Sequence, residues 1–202
     1  MTSPGLPTRE VPTGLTAEQA AILAAQQTYA AQQAALRQQL AAAVIALWAA
    51  TAGFPGASFS PEEAGKWVER ILPISLGAQR AMTAVTVAQL NQMHRPPRPI
   101  IVLPTETTGE ATRGRNPSEV YERPFTEIRW QLSKGKTVEQ AVRAGQRRAL
   151  SIANTDLQKA HTNTAQRYIQ RSREQPRQGP SGRIVGYRRQ LSNNPNHCAL
   201  CV

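Results

Sequence analysis

The chain has 202 residues, 40% of them hydrophobic and only 5% aromatic, with two cysteines and a formal net charge of +11. Ala is the commonest apolar residue, so at roughly 25 cal/mol per Å² of apolar surface buried the core is expected to be thin and to lean on partners; this argues against a compact, self-sufficient enzyme domain. The charge is one-sided: residues 1–122 carry nine Lys/Arg and nine Asp/Glu, residues 123–202 fifteen and four, a balance that suggests a polyanionic neighbour.

In chain order, residues 1–15 hold three prolines, two glycines and three threonines, which predicts an extended or disordered arm. This arm lacks the basic start and apolar run of a signal peptide. Thr16, with Gln19 three residues on, has the spacing of a capping box. From there to Ala52 there is no Pro or Gly, and Ile22, Tyr29, Leu36, Leu40 and Leu47 recur near heptad spacing. A long first helix follows. Its run Leu40–Ala50 is shorter than the roughly 20 apolar residues a bilayer span needs, so no membrane segment is expected. Gly53-Phe54-Pro55-Gly56 breaks the helix. Ser60-Pro61-Glu62-Glu63 restarts one with Ser at the cap and Pro in the first turn; it should run to about Met93, with a kink or split at Pro73. Residues 16–93 thus read as a long αα-hairpin.

Residues 94–116 form a Pro-rich connector, in which Ile100–Leu103 is a candidate short strand or a segment that clings to a neighbour. Residues 117–182 make a basic helical unit. Asn116-Pro117 opens a short helix that Pro124 restarts and Gly135 ends. Thr137, with Gln140 at the box position, caps a long helix to about Glu174 that tolerates Gly145. Residues 183–202 form a β/turn stub containing Cys198-Ala199-Leu200-Cys201. The fold class is mainly α: a long hairpin plus a second, basic helical unit.

The stretches EVYERPFTEIRWQLSKGKTVEQAVRAGQRRAL (119–150), ANTDLQKAHTNTAQ (153–166), GYRRQL (186–191) and CALC (198–201) occur in an order that resembles the Mu F-like minor capsid, or head morphogenesis, proteins of actinobacterial tailed phages. That family is also labelled capsid maturation protease. The RPPRP run at 95–99 matches it too, and the similarity spans roughly residues 60–202. The resemblance implies a virion protein of the capsid interior and portal vertex, made in the host cytoplasm and present in multiple copies. It implies the portal protein and the major capsid protein as partners in head morphogenesis; the basic half adds packaged DNA as a further contact, with a DNA-binding packaging factor as a further alternative. Family members usually continue past the CxxC with more Cys and His, so a longer parent chain is expected.

Cys198 and Cys201 have the spacing of half a zinc site; four ligands are needed, and His197 is too close to Cys198 to chelate well. No cofactor is expected in this chain, and zinc only in a longer one. A protease would need a nucleophile, a base and an orienting group, and His94, His161 and His197 lie in no recognisable catalytic context. His161 is most simply solvated beside Asp156, and His94 ends a helix, where partial protonation favours the dipole. Enzymatic activity is therefore not expected, with the protease as the alternative. Arg143, Arg147, Arg148, Lys159, Arg167, Arg171 and Arg173 form a candidate polyanion-binding face, weighed equally against an ordinary solvated face partly paired with Glu139 and Asp156. Trp48, Trp67 and Phe125 are assigned to the core, and Trp130 is a candidate anchor for the basic half.

Overall fold

A computed structural model describes residues 16–54, 56–94, 96, 98–107 and 116–174. Among these the chain is helical with no strand: α1 Ala17–Thr51, α2 Pro61–His94, α3 Pro117–Ser133 and α4 Val138–Glu174, with a single helical turn at 105–107. The arm, residues 175–182 and the CxxC stub lie outside the described residues.

The helix starts follow local chemistry. The Thr16 hydroxyl accepts from the Gln19 N–H at 3.2 Å while the Gln19 side chain accepts from the Thr16 N–H at 2.9 Å. Thr137 and Gln140 form the same reciprocal pair, so in both places two donors of the first turn are satisfied. Ser60 accepts from the Glu63 N–H, and Asn116 from that of Ser118. Gly135 ends the α3 region at φ +74°, a conformation that costs a Cβ-bearing residue more.

The split expected at Pro73 and the restart expected at Pro124 are corrected: α2 continues through Pro73, and α3 through Pro124. Each proline removes one helical hydrogen bond, but Pro124 is itself buried, and Ile71 and Ser75, buried on either side of Pro73, hold that helix in the core. The membrane expectation also needs amendment. By length and composition alone, α2 is apolar enough to cross a bilayer; here it is a core helix, packed against α1, α3 and α4.

The segments on either side of the connector share one core. Leu40, Val44 and Trp48 of α1, Trp67 and Ile71 of α2, Tyr121, Phe125 and Ile128 of α3, and Ile152 and Leu157 of α4 form a single cluster. Trp48 stands edge-on to Trp67 at 5.1 Å and to Phe125 at 5.6 Å between ring centroids, a favoured aromatic geometry. Gly145 is what lets α4 come close. A Cβ there would sit 2.7 Å from Trp48 Cζ2 and 2.8 Å from Ile128 Cγ1, so Gly145 is a packing requirement and not merely tolerated. Trp130 is not the anchor expected of it. It is 53% exposed, with Lys134 Nζ 5.9 Å from its ring centre; its neighbour Arg129 makes the tie instead, donating to the Phe59 carbonyl at 3.2 Å.

A second cluster closes the other end: Leu90, Ile100, Val102, Ala165 and Tyr168. Ile100–Leu103 clings to the bundle without forming a strand. Its side chains alternate as in an extended chain: Ile100 and Val102 are buried, Ile101 and Leu103 exposed. The Asn91 side chain stands in for a strand partner, donating to the Ile100 carbonyl at 2.8 Å and accepting from its N–H at 2.9 Å.

Candidate functional site

Two features could carry chemistry: a polar seam inside the bundle and the basic surface of α4. The seam starts on one face of α2. Ser75, Gln79, Thr83 and Thr86 recur at helical spacing and are all buried. Opposite them α4 presents Asp156, Thr164 and His161. Tyr121 of α3 donates to Asp156 Oδ2 at 2.7 Å and pairs with the Ser75 hydroxyl, while Gln79 Nε2 donates to Ser75. The Tyr121 carbonyl accepts from Trp67 Nε1 at 2.9 Å. Further along, Thr164 donates to Thr83, which pairs with Thr107 at 2.9 Å. Thr86 pairs with His161 Nδ1 at 2.9 Å.

Burial dominates the electrostatics of the seam. It raises the Asp156 carboxyl above its ordinary value, against the lowering effects of the Tyr121 bond and of Lys159. It raises Tyr121 strongly, helped by the adjacent Asp156 charge. It lowers His161, and the Arg37 guanidinium lowers it further. The expectation of a solvated His161 beside Asp156 is therefore corrected: His161 faces Thr86 and Asp156 faces Tyr121, because inward-turned polar groups must find partners where water is excluded. His94 ends α2 on the exposed side, its ring centre 6.2 Å from that of Tyr168, and partial burial lowers its pKa. Apart from Gln79 Oε1, the seam's groups satisfy one another, so what the arrangement does is fix the register of α2, α3 and α4. Trp48 Nε1 and Gln79 Oε1 are the two buried side-chain polar atoms left without a partner among the described residues.

The seven basic residues do not form one face. At about 100° per residue they fall on three lines of α4: Arg143 with Arg147, Arg148 with Lys159 and Arg173, and Arg167 with Arg171. Arg143, Arg147, Arg148 and Arg173 are exposed; Lys159, Arg167 and Arg171 are half-buried. From Arg143 to Arg173 the helix runs roughly 45 Å. Arg171 is turned to the connector, with Nη2 2.6 Å from Glu106 Oε1 and Nη1 donating to the Ile101 carbonyl, so its role in the fold is to hold that segment down. Asp156 is buried; it accepts a hydrogen bond from Tyr121 and, of the basic set, Lys159 acts on it electrostatically.

Sequence reasoning missed Arg37, the one cation of α1, which reaches α4 and donates to Gln158 Oε1 at 3.3 Å. No sequence signal points to that encounter across the bundle. The polar stripe of α2 was missed as well; its signal in the sequence is Ser75, Gln79, Thr83 and Thr86, polar residues three or four apart. Among the described residues no three His, Cys, Asp or Glu side chains cluster as a metal centre would; Cys198 and Cys201 lie outside them. Comparisons with protein-family profiles, with curated proteins and with solved structures give no match to this chain.

Proposed function

We propose that this chain is a structural component of a tailed-phage head, of the Mu F-like minor capsid type, that acts at the portal vertex during assembly. The ordered motifs between 119 and 201 support the family reading. The observation that carries the structural role is on α1. Between Ala17 and Gln39 no described side chain is buried, although the segment is helical throughout. An isolated helix in water is marginal, and this one meets α2 through amide and phenol contacts, Tyr29 to Gln92 and Gln33 to Gln89. A long helix so lightly held offers its free face to neighbouring subunits.

Quantitative mass spectrometry of purified virions tests this. A fixed, low ratio of this chain to the portal protein is expected. Its presence in procapsids and absence from virions would overturn the proposal and favour a transient, protease-like role.

A further inference from the structure

Folding sorts the cations of α4. Arg171 is committed to Glu106 and the Ile101 carbonyl, and Lys159 acts on the buried Asp156. Arg143, Arg147 and Arg148 are exposed, and among the described residues none of these three makes an ion pair or a side-chain hydrogen bond. We propose that Arg143, Arg147 and Arg148 form a contact surface for the phosphate backbone of duplex nucleic acid, bound without regard to base sequence.

The three arginines lie within roughly 7.5 Å of helix axis and roughly 140° of its circumference. Between Gln140 and Thr155 α4 contains no acid. Glu139 stands one turn before Arg143 and offsets part of that charge. Arg147 and Arg148 are more than two turns from both Glu139 and Asp156, and Asp156 is turned inward to Tyr121. At this spacing like charges oppose one another, and a row of phosphates turns that repulsion into attraction. A nucleic-acid strand carries one charge per about 3.4 Å of axis, so two or three phosphates pass within reach of the cluster.

The rest of the surface selects this partner over others. Gln140, Ser151 and Asn154 are exposed on the arc between the arginines and carry neutral groups of the kind that hydrogen-bond phosphate oxygens. Val138, in the first turn, is the one exposed large hydrophobic residue of α4. Protein interfaces have an apolar core inside a polar rim, so an acidic protein finds no anchor beside these arginines. Single-strand binders add aromatic platforms on which bases stack, and Tyr168, the one Tyr, Phe or Trp of α4, is buried. The face is the convex outside of a helix, whereas small-ligand sites are concave. The inference does not rest on the head-protein reading, which virion composition tests separately.

The test titrates the full chain with a short fluorescent DNA duplex at several salt concentrations, beside a fluorescent polyglutamate of equal charge. The variants are Arg143→Gln/Arg147→Gln/Arg148→Gln and the charge-matched Lys66→Gln/Arg70→Gln/Arg80→Gln on the exposed surface of α2, with helicity checked by circular dichroism. The α4 variant alone is expected to lose about 2 to 3 from the slope of log affinity against log salt, with duplex bound more tightly than polyglutamate. No duplex binding by the unmodified chain, an unchanged slope in the α4 variant, or equal losses in both variants overturns the proposal. Polyglutamate bound as tightly as duplex also overturns it and assigns the surface to an acidic protein. Should the triple variant fold poorly, Ser151→Glu keeps every arginine and sets a carboxylate three residues from Arg148 and four from Arg147; duplex binding as tight as that of the unmodified chain then overturns it.

Discussion

The two ends of this bundle are held by different chemistry. At one end, where α1 finishes and α4 begins, Trp48, Trp67, Phe125 and Ile128 interlock around Gly145. At the other, where α1 begins and α4 finishes, a smaller apolar cluster of Leu90, Ile100, Val102, Ala165 and Tyr168 is supplemented by amides, hydroxyls and a clipped connector: Gln33 to Gln89, Thr83 to Thr107 and Thr164, and Asn91 to Ile100. Large aromatic side chains remove much apolar area from water and stabilise strongly. A protein–protein hydrogen bond replaces bonds to water and nets only about 1 kcal/mol. The difference teaches that the aromatic end anchors the fold, while the hydroxyl end sets register and can open at lower cost.

The largest expected effect breaks the anchor. Trp48→Ala should lower unfolding free energy by about 3–5 kcal/mol, read from denaturant midpoints; a loss below about 1 kcal/mol would mean the aromatic end is not the anchor. Next is Asn91→Ala, which deprives the Ile100 N–H and carbonyl of their partner and removes an acceptor from Tyr168. A loss of about 1–3 kcal/mol is expected. Hydrogen exchange should quicken at residues 100–102 and stay unchanged around Phe125; equal quickening at both ends would show that they unfold as one unit.

A titration sharpens the contrast further. His161 has its pKa lowered from 6.5 by burial and then by Arg37. A lowered folded value means its contribution is complete above pH 6.5 and is lost as pH falls through the lowered value. Asp156 runs the other way. Its raised value means a contribution complete below pH 3.8 and lost as pH rises through the raised value. Thermal melts on the acid side of pH 6.5 should therefore show a drop in Tm that is smaller in His161→Gln. Parallel pH curves for the two proteins would sink this assignment. The smallest effect belongs to the exposed rim: Gln33→Ala, which removes a single amide contact to Gln89, should cost less than about 0.5 kcal/mol. A loss several times larger would show that the start of α1 is held more firmly than its exposure indicates.

Much of the architecture was readable from local chemistry. The capping pairs Thr16/Gln19 and Thr137/Gln140 marked two helix starts because the bonds that make a cap lie within four residues. Trp48, Trp67 and Phe125 were legible as core because large aromatic side chains on helices gain most from burial, although Trp130 offers as much area and stays exposed. The site was less readable. The prolines misled, since helix continuity at Pro73 and Pro124 depends on the neighbours packed there. The seven basic residues looked like a patch because their spacing along the chain hides the angular spread around α4. His161 and Asp156 looked like surface neighbours because their partners, Thr86 and Tyr121, are distant in sequence.

By itself, then, the sequence determined the helices, their starts and the one-sided distribution of charge, all of which follow from backbone propensity and side chains a few residues apart. Only the tertiary structure decided that Asn91 clips Ile100, that Gly145 makes room for Trp48, and that Arg37 of the neutral half meets Gln158 of the basic half. Each of these depends on how closely two helices approach and on how far each is rotated about its axis. Those quantities are set by the packing of the whole core.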